Sequence, residues 1–178
     1  MHLSVREIRK EELKLVIDYF LKSSAKYLRG MGADNAKLPS RTKWLKELNL
    51  EFGKPANQKE YYYLIWLEDD KPIGHSNINH IDFGKTAKMH LHLWQSSNRM
   101  KGMGEVFIKK SIPFYFNGFN LQTLICEPYA YNPAPNKVLP KLGFEFVKQY
   151  ETIPGASNYR QQVRRYILEK DRFLKWIS

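Results

Sequence analysis

Cysteine is almost absent from this sequence: Cys126 is the only one among 178 residues. An intrachain disulfide is therefore impossible. This usage is typical of proteins of the reducing cytoplasm, where we place the chain. We expect Cys126 to be buried, because free cysteines behave as small apolar side chains.

Long apolar runs are also missing. The most apolar stretch covers residues 61–67, which is far shorter than the roughly 20 residues that a membrane-spanning helix needs. No apolar segment follows Met1-His2-Leu3, so the start does not look like a signal peptide. These absences predict that the protein has no membrane partner.

Acidic residues are scarce relative to basic ones. Lysine and arginine number 29 against 18 aspartates and glutamates, which gives a formal net charge of +11 and a pI of about 9.6. This balance favours an anionic partner, which could be a nucleic acid, a membrane surface or a phosphorylated cofactor. The length, without repeats or linkers, predicts one domain over residues 1–178.

The hydrophobic pattern predicts the element order β-α-α-β-β-β-α-β-α-β-β, a mixed sheet with helices on both faces. The predicted strands cover residues 3–8, 61–67, 73–81, 88–94, 121–126, 144–150 and 163–169, and the predicted helices cover 11–22, a segment from Ser40, 105–116 and 132–142. Residues 23–39 are predicted to form a long irregular connection, of a length that is often functional. Residues 151–161 form a loop between the last two strands.

Two neighbouring strands carry unusual polar residues. Strand 73–81 contains Ser76, Asn77, Asn79 and His80, which fits either an edge strand facing water or a strand lining a polar cleft. In strand 88–94, alternation separates the side chains into two faces. One face carries Met89, Leu91 and Leu93, and the other carries Lys88, His90, His92 and Trp94.

A glycine-bearing basic loop, Arg99-Met-Lys101-Gly102-Met-Gly104, follows this strand and leads into a helix. The two glycines let backbone N–H groups approach phosphate oxygens, and the helix N-terminus adds partial positive charge to that of the cations. The loop lacks the third glycine of a dinucleotide fingerprint and the Gly-Lys-Ser/Thr of a P-loop. A plain strand-to-helix turn is the alternative, but the position at the carboxyl end of a strand favours a pyrophosphate site.

This loop resembles the acyl-CoA loop of the GCN5-related N-acetyltransferases (GNAT), written Arg/Gln-x-x-Gly-x-Gly/Ala. A second segment over residues 132–144 resembles the other signature of the family. It matches at Asn132, Leu139, Leu142, Gly143 and Phe144. The two motifs occur in the order of the family, and the resemblance covers residues 88–147.

The resemblance implies a mostly antiparallel sheet of six to seven strands and a site for acetyl-CoA. The pantetheine arm would pair with the backbone at Leu93 and Trp94. Asn132 would bind the pantetheine or the amine, while Asn136 and Lys137 would lie toward the nucleotide. The residues implied to hold the pyrophosphate are Arg99, Lys101, Gly102, Met103 and Gly104.

For catalysis, the resemblance implies several candidate groups. Residues 127–132 resemble the Asp-Pro-x-x-x-Asn run of aminoglycoside- and siderophore-type acetyltransferases, so Glu127 is predicted to take the proton of the amine. His90 and His92 share the face on which the family often carries its base. Leu139 stands where many relatives have a tyrosine acid, as in ribosomal-protein-type acetyltransferases, and Tyr131 is predicted to replace that acid.

Each candidate also has a structural alternative. Glu127 could be a salt-bridging acid, His90 and His92 could be hydrogen-bonded core residues, and Tyr131 could cover the end of the sheet. A metal site formed only by His75, His80, His90 and His92 is disfavoured, because zinc sites rarely lack a carboxylate or an open position. We therefore predict no metal.

The predicted function is acetyl transfer from acetyl-CoA to a primary amine by direct attack within a ternary complex. The acceptor would be a small-molecule amine or a protein N-terminus, and the protein could form a homodimer. Two alternatives are a catalytically silent CoA-binding sensor, which Leu139 favours, and a basic nucleic-acid-binding module. The second is disfavoured because most aromatic residues fall at core positions and no RNA-binding signature is present.

Overall fold

The computed structural model describes residues 1–94 and 102–177. Its strands are β1 (Leu3–Glu7), β2 (Tyr61–Glu68), β3 (Lys71–Asp82), β4 (Thr86–Leu93), β5 (Thr123–Cys126), β6 (Glu145–Thr152) and β7 (Gln161–Glu169). They form one sheet in the order β1-β2-β3-β4-β5-β7-β6. The pair β4 and β5 is parallel and the other neighbouring pairs are antiparallel. The predicted mixed, mostly antiparallel fold is confirmed.

The described residues also form six α-helices. They are α1 (Leu13–Lys22), α2 (Ala25–Gly30), α3 (Arg41–Phe52), α4 (Met103–Phe119), α5 (Pro133–Lys141) and α6 (Lys170–Ile177). Short 3-10 turns cover residues 10–12, 35–37 and 56–58. The predicted helices correspond to α1, α3, α4 and α5, whereas α2 and α6 are additional.

The prediction of an irregular connection over residues 23–39 is wrong where α2 forms. Ser24 caps this helix by accepting a hydrogen bond from the Tyr27 N–H (3.2 Å), and Leu28 is fully buried. A helix of six residues shows too little periodicity to be recognised in a sequence, and tertiary packing supplies most of its stability. Helix α6 begins at Lys170 directly after β7, without a turn to mark it.

The two faces of the sheet carry separate hydrophobic cores. Helices α4, α5 and α6 cover one face, where the core includes Trp66, Phe107, Phe116, Leu139 and Phe173. Helices α1 and α3 cover the other face, where the core includes Leu13, Val16, Ile17, Leu48 and Ile65. On this second face, β3 and β4 present the polar and aromatic side chains that form the candidate site.

Strand β3 lies inside the sheet between β2 and β4, so its interpretation as an edge strand is wrong. Its polar residues can be buried because they have partners. The Ser76 hydroxyl lies 2.6 Å from the Tyr115 hydroxyl and 3.1 Å from Ser111 Oγ. Ser111 also accepts a hydrogen bond from the Trp66 indole (2.9 Å). This network ties the centre of the sheet to α4.

Gly74 allows β3 to approach β4 closely. A Cβ atom at this position would lie 2.6 Å from the His92 carbonyl oxygen and 3.0 Å from Trp66 Cε3. Gly74 pairs with Leu93 across the two strands. The missing side chain therefore fixes the position of the last residues of β4.

Candidate active site

Strands β4 and β5 separate after a short parallel pairing. They pair from Thr86 to Lys88 on β4, after which β4 continues to Leu93 while β5 ends at Cys126. Cys126 lies where the strands part, with its Sγ 3.3 Å from the Met89 carbonyl oxygen. It is buried as predicted, and burial raises the pKa of its thiol to about 12. The Cys126 thiol is therefore protonated at neutral pH, so catalysis in this gap depends on other groups.

Every second residue of β4 points its backbone N–H and C=O toward the gap, and the residues between them point theirs toward β3. The Trp94 N–H donates to the Ile73 carbonyl on β3 (2.9 Å). Because successive peptide groups of a strand point to opposite sides, those of Leu91 and Leu93 point into the gap. The pairing of the cofactor arm with the backbone at Leu93 and Trp94 stays a prediction, and the Trp94 N–H already has its partner on β3.

Helix α4 begins at the end of the same gap. Gly102 precedes it with a φ angle of +73°, and a Cβ atom there would meet nothing within 4 Å. A Cβ at Gly104 would lie 3.9 Å from Leu93 Cδ1, so the helix starts against β4. The Met103 side chain is buried in the core beneath the sheet. The N-terminus of this 17-residue helix thus suits a diphosphate.

Two further predicted contacts of the diphosphate, Arg99 and Lys101, lie outside the described residues. Asn132, the N-cap residue of α5, is half-buried and makes no side-chain capping bond. Lys137 is exposed on α5, as a contact to a nucleotide requires. The roles of these residues stay predictions.

The Asn136 side chain holds the turn that precedes α5. Its Nδ2 donates to the carbonyls of Asn132 (2.7 Å) and Tyr129 (3.0 Å), and its Oδ1 accepts from the Tyr166 hydroxyl (3.1 Å). These bonds occupy most of the capacity of the amide. Its predicted contact with the cofactor therefore competes with a structural role.

The histidines of β4 lie on the face of the sheet that α1 covers. The His90 Nε2 is 2.9 Å from Asn79 Oδ1, and the His92 ring packs edge-on against Tyr19 at 5.5 Å. Burial, with a contribution from Lys88, lowers the pKa of His90 to about 4, and burial lowers that of His92 to about 3. Both rings are therefore neutral at pH 7, and both are weaker bases than an ordinary histidine.

His75 is a site residue that the sequence reasoning considered only as a metal ligand. The Trp94 indole N–H donates to His75 Nδ1 (2.7 Å), which places the ring proton on Nε2. The His75 ring also stacks on His92 with centroids 4.6 Å apart. This bond anchors the Trp94 side chain where β4 ends, so the side chain holds the strand end in place.

The stability of the fold should depend on pH through these buried histidines. An unfolded histidine has a pKa of about 6.5, so below that pH the unfolded chain binds more protons than the native chain does. We therefore expect the free energy of unfolding to fall as the pH decreases from about 6.5 toward 4. Urea unfolding at pH 7 and pH 5 measures this change.

The matched variants for this measurement are His92→Gln and His2→Gln, because His2 is exposed. His92→Gln should reduce the pH dependence of stability, and His2→Gln should leave it unchanged. Equal slopes in the two variants would contradict the assignment of a buried, neutral His92.

Glu127 is enclosed by cations. Its Oε2 lies 2.7 Å from Lys88 Nζ, its Oε1 lies 3.4 Å from Arg165, and the Tyr150 hydroxyl donates to it. Only 4% of the side chain is exposed. Burial alone would raise the pKa of this carboxyl, but the bonds from Lys88 and Tyr150 outweigh it and lower the pKa. Sequence reasoning did not identify Arg165 or Tyr150, which lie on distant strands.

The two positions considered for a general acid differ in access. Leu139 is fully buried in the core. Tyr131 is 69% exposed and packs edge-on against Tyr129 with ring centroids 5.4 Å apart. Tyr131 can therefore reach a ligand, whereas Leu139 can only pack against its surroundings.

The segment after α2 is joined to the loop between β6 and β7. The Gly32 carbonyl accepts hydrogen bonds from the side-chain amides of Asn158 and Gln161, both at 2.7 Å. Ala33 forms an isolated β-bridge with Asn158. We call these joined segments, residues 25–34 and 155–161, the roof. The long connection after the first predicted helix and the loop between the last two predicted strands thus meet each other.

The roof lies over the same face as the histidines and Glu127. The Tyr27 hydroxyl is 2.8 Å from the Tyr19 hydroxyl, beside His92. At the other end, the Tyr159 ring lies 6.0 Å from Tyr129, which follows β5. The roof therefore spans the region where β4 and β5 part.

The part of the chain that the structure describes contains no group of three or more histidine, cysteine, aspartate or glutamate side chains that could hold a metal ion. None of its helices has the length and the apolar character needed to cross a bilayer.

Comparison with known folds shows extensive similarity. A spermidine N-acetyltransferase from Vibrio cholerae in complex with CoA and spermine superposes with a TM-score of 0.78, at 15% identity over 97% of this chain and 98% of that one. A ribosomal-protein-S5-alanine acetyltransferase from Vibrio fischeri gives 0.76, at 18% identity over 96% and 94%. An aminoglycoside acetyltransferase in complex with coenzyme A and kanamycin gives 0.74, at 14% identity over 99% and 100%. At these identities the similarity establishes the fold.

The family assignment comes from the sequence profile. No curated protein sequence matches the chain, but residues 2–145 match the profile described as an acetyltransferase (GNAT) domain. The matched part includes the gap between β4 and β5 and the start of α4. The chain therefore belongs to the GNAT family and is an acetyl-CoA-dependent N-acetyltransferase.

Proposed function

We propose that the protein transfers the acetyl group of acetyl-CoA to a primary amine by direct attack of the neutral amine within a ternary complex. The observation that carries this proposal is the gap between β4 and β5. The N-terminus of α4 lies at the gap on one face of the sheet. The roof and the Lys88–Glu127 pair lie on the other face. Donor and acceptor can therefore meet in the gap from opposite sides.

The donor side would be held mainly by backbone groups. The amides of Met103 and Gly104, with the cations Arg99 and Lys101, would bind the diphosphate, and the peptide groups facing the gap would pair with the pantetheine arm. Bound acetyl-CoA supplies an acyl group activated as a thioester. A backbone N–H near Leu93 would polarise the acyl carbonyl, a contribution of about 3 kcal/mol where comparable donors have been removed.

The acceptor side has to present an uncharged amine. We propose that Glu127 acts here by holding Lys88 and Arg165 in place, since a carboxylate with a lowered pKa takes a proton poorly. Positive charge beside an ammonium group lowers its pKa and favours the neutral nucleophile. His90 and His92 stay candidates for passing the proton to solvent. Tyr131, which is exposed beside α5, is the proposed proton donor to the departing thiolate.

The Glu127→Gln variant tests these two roles. We expect it to bind acetyl-CoA like the wild type, because the carboxylate lies on the acceptor face, and to lose about tenfold in turnover because Lys88 and Arg165 lose their counter-ion. If Glu127 positions the cations, the loss should be similar from pH 6 to pH 9. A base would instead remove one limb of the pH profile.

The double variant Lys88→Met/Glu127→Gln is the control for an unpaired buried charge. It removes both members of the 2.7 Å pair, so it should recover stability that Glu127→Gln alone loses. Turnover of Glu127→Gln equal to that of the wild type would exclude both roles for this residue.

Thermal unfolding with acetyl-CoA tests the proposed function. A ligand present at about 100 times its Kd stabilises the native state by about 2.7 kcal/mol. For a domain of this size, that should raise the Tm by roughly 5–10 °C. Adenosine, which lacks the diphosphate and the pantetheine arm, is the control and should give little shift. An unchanged Tm at millimolar acetyl-CoA would contradict the proposal.

Release of free thiol from acetyl-CoA then separates an enzyme from a sensor. The buried Leu139 provides no proton for the thiolate, which is the observation that favours a CoA-binding sensor. A Tm shift without thiol release across a panel of primary amines would support the sensor. Thiol release that depends on the amine supports the acetyltransferase.

A further inference from the structure

The charged groups on the acceptor face form a cluster with a net positive charge. The cluster consists of Lys88 on β4, Glu127 after β5 and Arg165 on β7, with Glu127 between the two cations. Glu127 is 4% exposed, while Lys88 is 25% and Arg165 is 32% exposed. A ligand that enters under the roof therefore meets the cations and not the acid.

The two cations have hydrogen-bonding capacity left for a ligand. An ammonium group has three donors and a guanidinium group has five. Within the cluster, Lys88 and Arg165 each contact one oxygen of Glu127. Lys88 and Arg165 therefore supply the positive charge of the cluster.

The described carboxylates around this face are engaged elsewhere. Asp34 Oδ1 accepts from the Ala36 N–H (3.1 Å) and caps a 3-10 turn. Glu151 pairs with Arg160 at 3.5 Å, and Asp18 contacts both Arg41 and Lys22. A polycationic acceptor needs exposed carboxylates to offset its charges. On this face it would instead be repelled by Lys88 and Arg165.

The spacing along β4 limits where a negative group of the acceptor could bind. Lys88 precedes Leu91 by three residues, which is about 10 Å along a strand. An extended peptide advances roughly 3.3–3.6 Å per residue. From an amine placed near Leu91, the second or third residue of the peptide lies roughly 3.5–7 Å away along the chain. The lengths of its acidic side chain and of the Lys88 side chain cover the rest of the distance to the cluster.

We propose that the acceptor is the α-amine of a peptide that carries an acidic residue in its second or third position, with that carboxylate bound by Lys88 and Arg165. This inference rests on the proposed acetyl transfer and specifies its substrate class. An α-amine suits such a site because its pKa is only about 8. At pH 7 about a tenth of such an amine is already neutral, so its deprotonation does not depend on cations that the bound carboxylate neutralises.

A set of short peptides that differ in one residue tests the inference. The second residue is aspartate, asparagine or lysine, a parallel series changes the third residue, and turnover is measured as release of the CoA thiol. Charged hydrogen bonds of this kind correspond to roughly 10- to 100-fold in binding. We expect kcat/KM for the better-placed aspartate peptide to exceed that of its asparagine match by at least about tenfold, with the lysine peptide slowest.

Arg165→Gln should bring the ratio between the aspartate and asparagine peptides close to one, acting mainly through KM. Arg172→Gln is the matched control. It removes the same charge from an exposed pair that Arg172 of α6 forms with Glu145 of β6. It should leave the ratio unchanged. If Arg165→Gln does not fold, Arg165→Lys keeps the charge, loses the planar fork and should give an intermediate ratio.

Several results would overturn the inference while leaving acetyl transfer in place. These are equal rates for the aspartate and asparagine peptides, a preference for spermidine or kanamycin over every peptide, and acetylation of free aspartate as fast as of the best peptide. Loss of activity on both peptides in equal measure in Arg165→Gln would also overturn it. Absence of thiol release with every amine would overturn the proposed function together with this inference.

Discussion

The Gly102→Asp variant is expected to bind acetyl-CoA at least about 100-fold more weakly than the wild type, a change of roughly 2.7 kcal/mol. Gly102 has a φ angle of +73°, a conformation that aspartate and asparagine tolerate better than other residues do. An added Cβ would meet no atom within 4 Å. The new carboxylate would therefore stand at the start of α4, where it repels a diphosphate.

The fold should survive this change, because a negative charge at a helix N-terminus stabilises the helix. The matched control is Gly102→Asn, which has the same shape without the charge and should lose much less affinity. Isothermal titration with acetyl-CoA compares the two variants. Wild-type affinity in Gly102→Asp would show that the diphosphate does not bind at α4, and equal losses in both variants would assign the effect to backbone conformation.

Gly74→Ala is expected to lower the free energy of unfolding by about 3 kcal/mol, the upper part of the range for an overpacked interior. The added methyl would lie 2.6 Å from the His92 carbonyl oxygen. That atom belongs to the backbone of β4, so it can move only if the pairing of β3 with β4 changes. Since Gly74 pairs with Leu93, the affinity for acetyl-CoA should fall as well.

Guanidinium unfolding measures this loss. Gly118→Ala is the control, because Gly118 is an exposed position of α4 at which a Cβ would meet nothing within 4 Å. That variant should gain about 0.5–1 kcal/mol from the higher helix propensity of alanine. A Gly74→Ala protein with the denaturation midpoint of the wild type would contradict the close approach of β3 and β4.

Features that depend on local spacing could be predicted from the sequence. Alternation along 88–94 correctly separates the residues facing α4, such as Met89, from those facing α1, such as His92. The glycine pattern at Gly102 and Gly104 predicts a helix start at the end of that strand, and α4 begins there. The predicted end of the helix over 132–142 agrees with the end of α5 and with the φ angle of +81° at Gly143, which follows it.

Features that depend on distant parts of the chain could not be predicted. The partners of Glu127 come from β4, β6 and β7, and no local pattern links Arg165 or Tyr150 to residue 127. Strand β3 is misleading in sequence because Ser76 bonds to Tyr115 on α4 and Asn79 bonds to His90 on β4. Helix α4 also continues past Pro113 to Phe119, beyond its predicted end at 116, since a long packed helix tolerates one lost hydrogen bond.

The roof combines two stretches that are more than 120 residues apart in sequence, yet it shares no segment with the glycine loop before α4. The two stretches are held together by direct hydrogen bonds, such as those from the Asn158 and Gln161 side chains to the Gly32 carbonyl. Exchanging residues 25–34 and 155–161 together for those of another acetyltransferase should therefore preserve the contacts that join them. Exchanging either stretch alone would leave Gly32 without its partners.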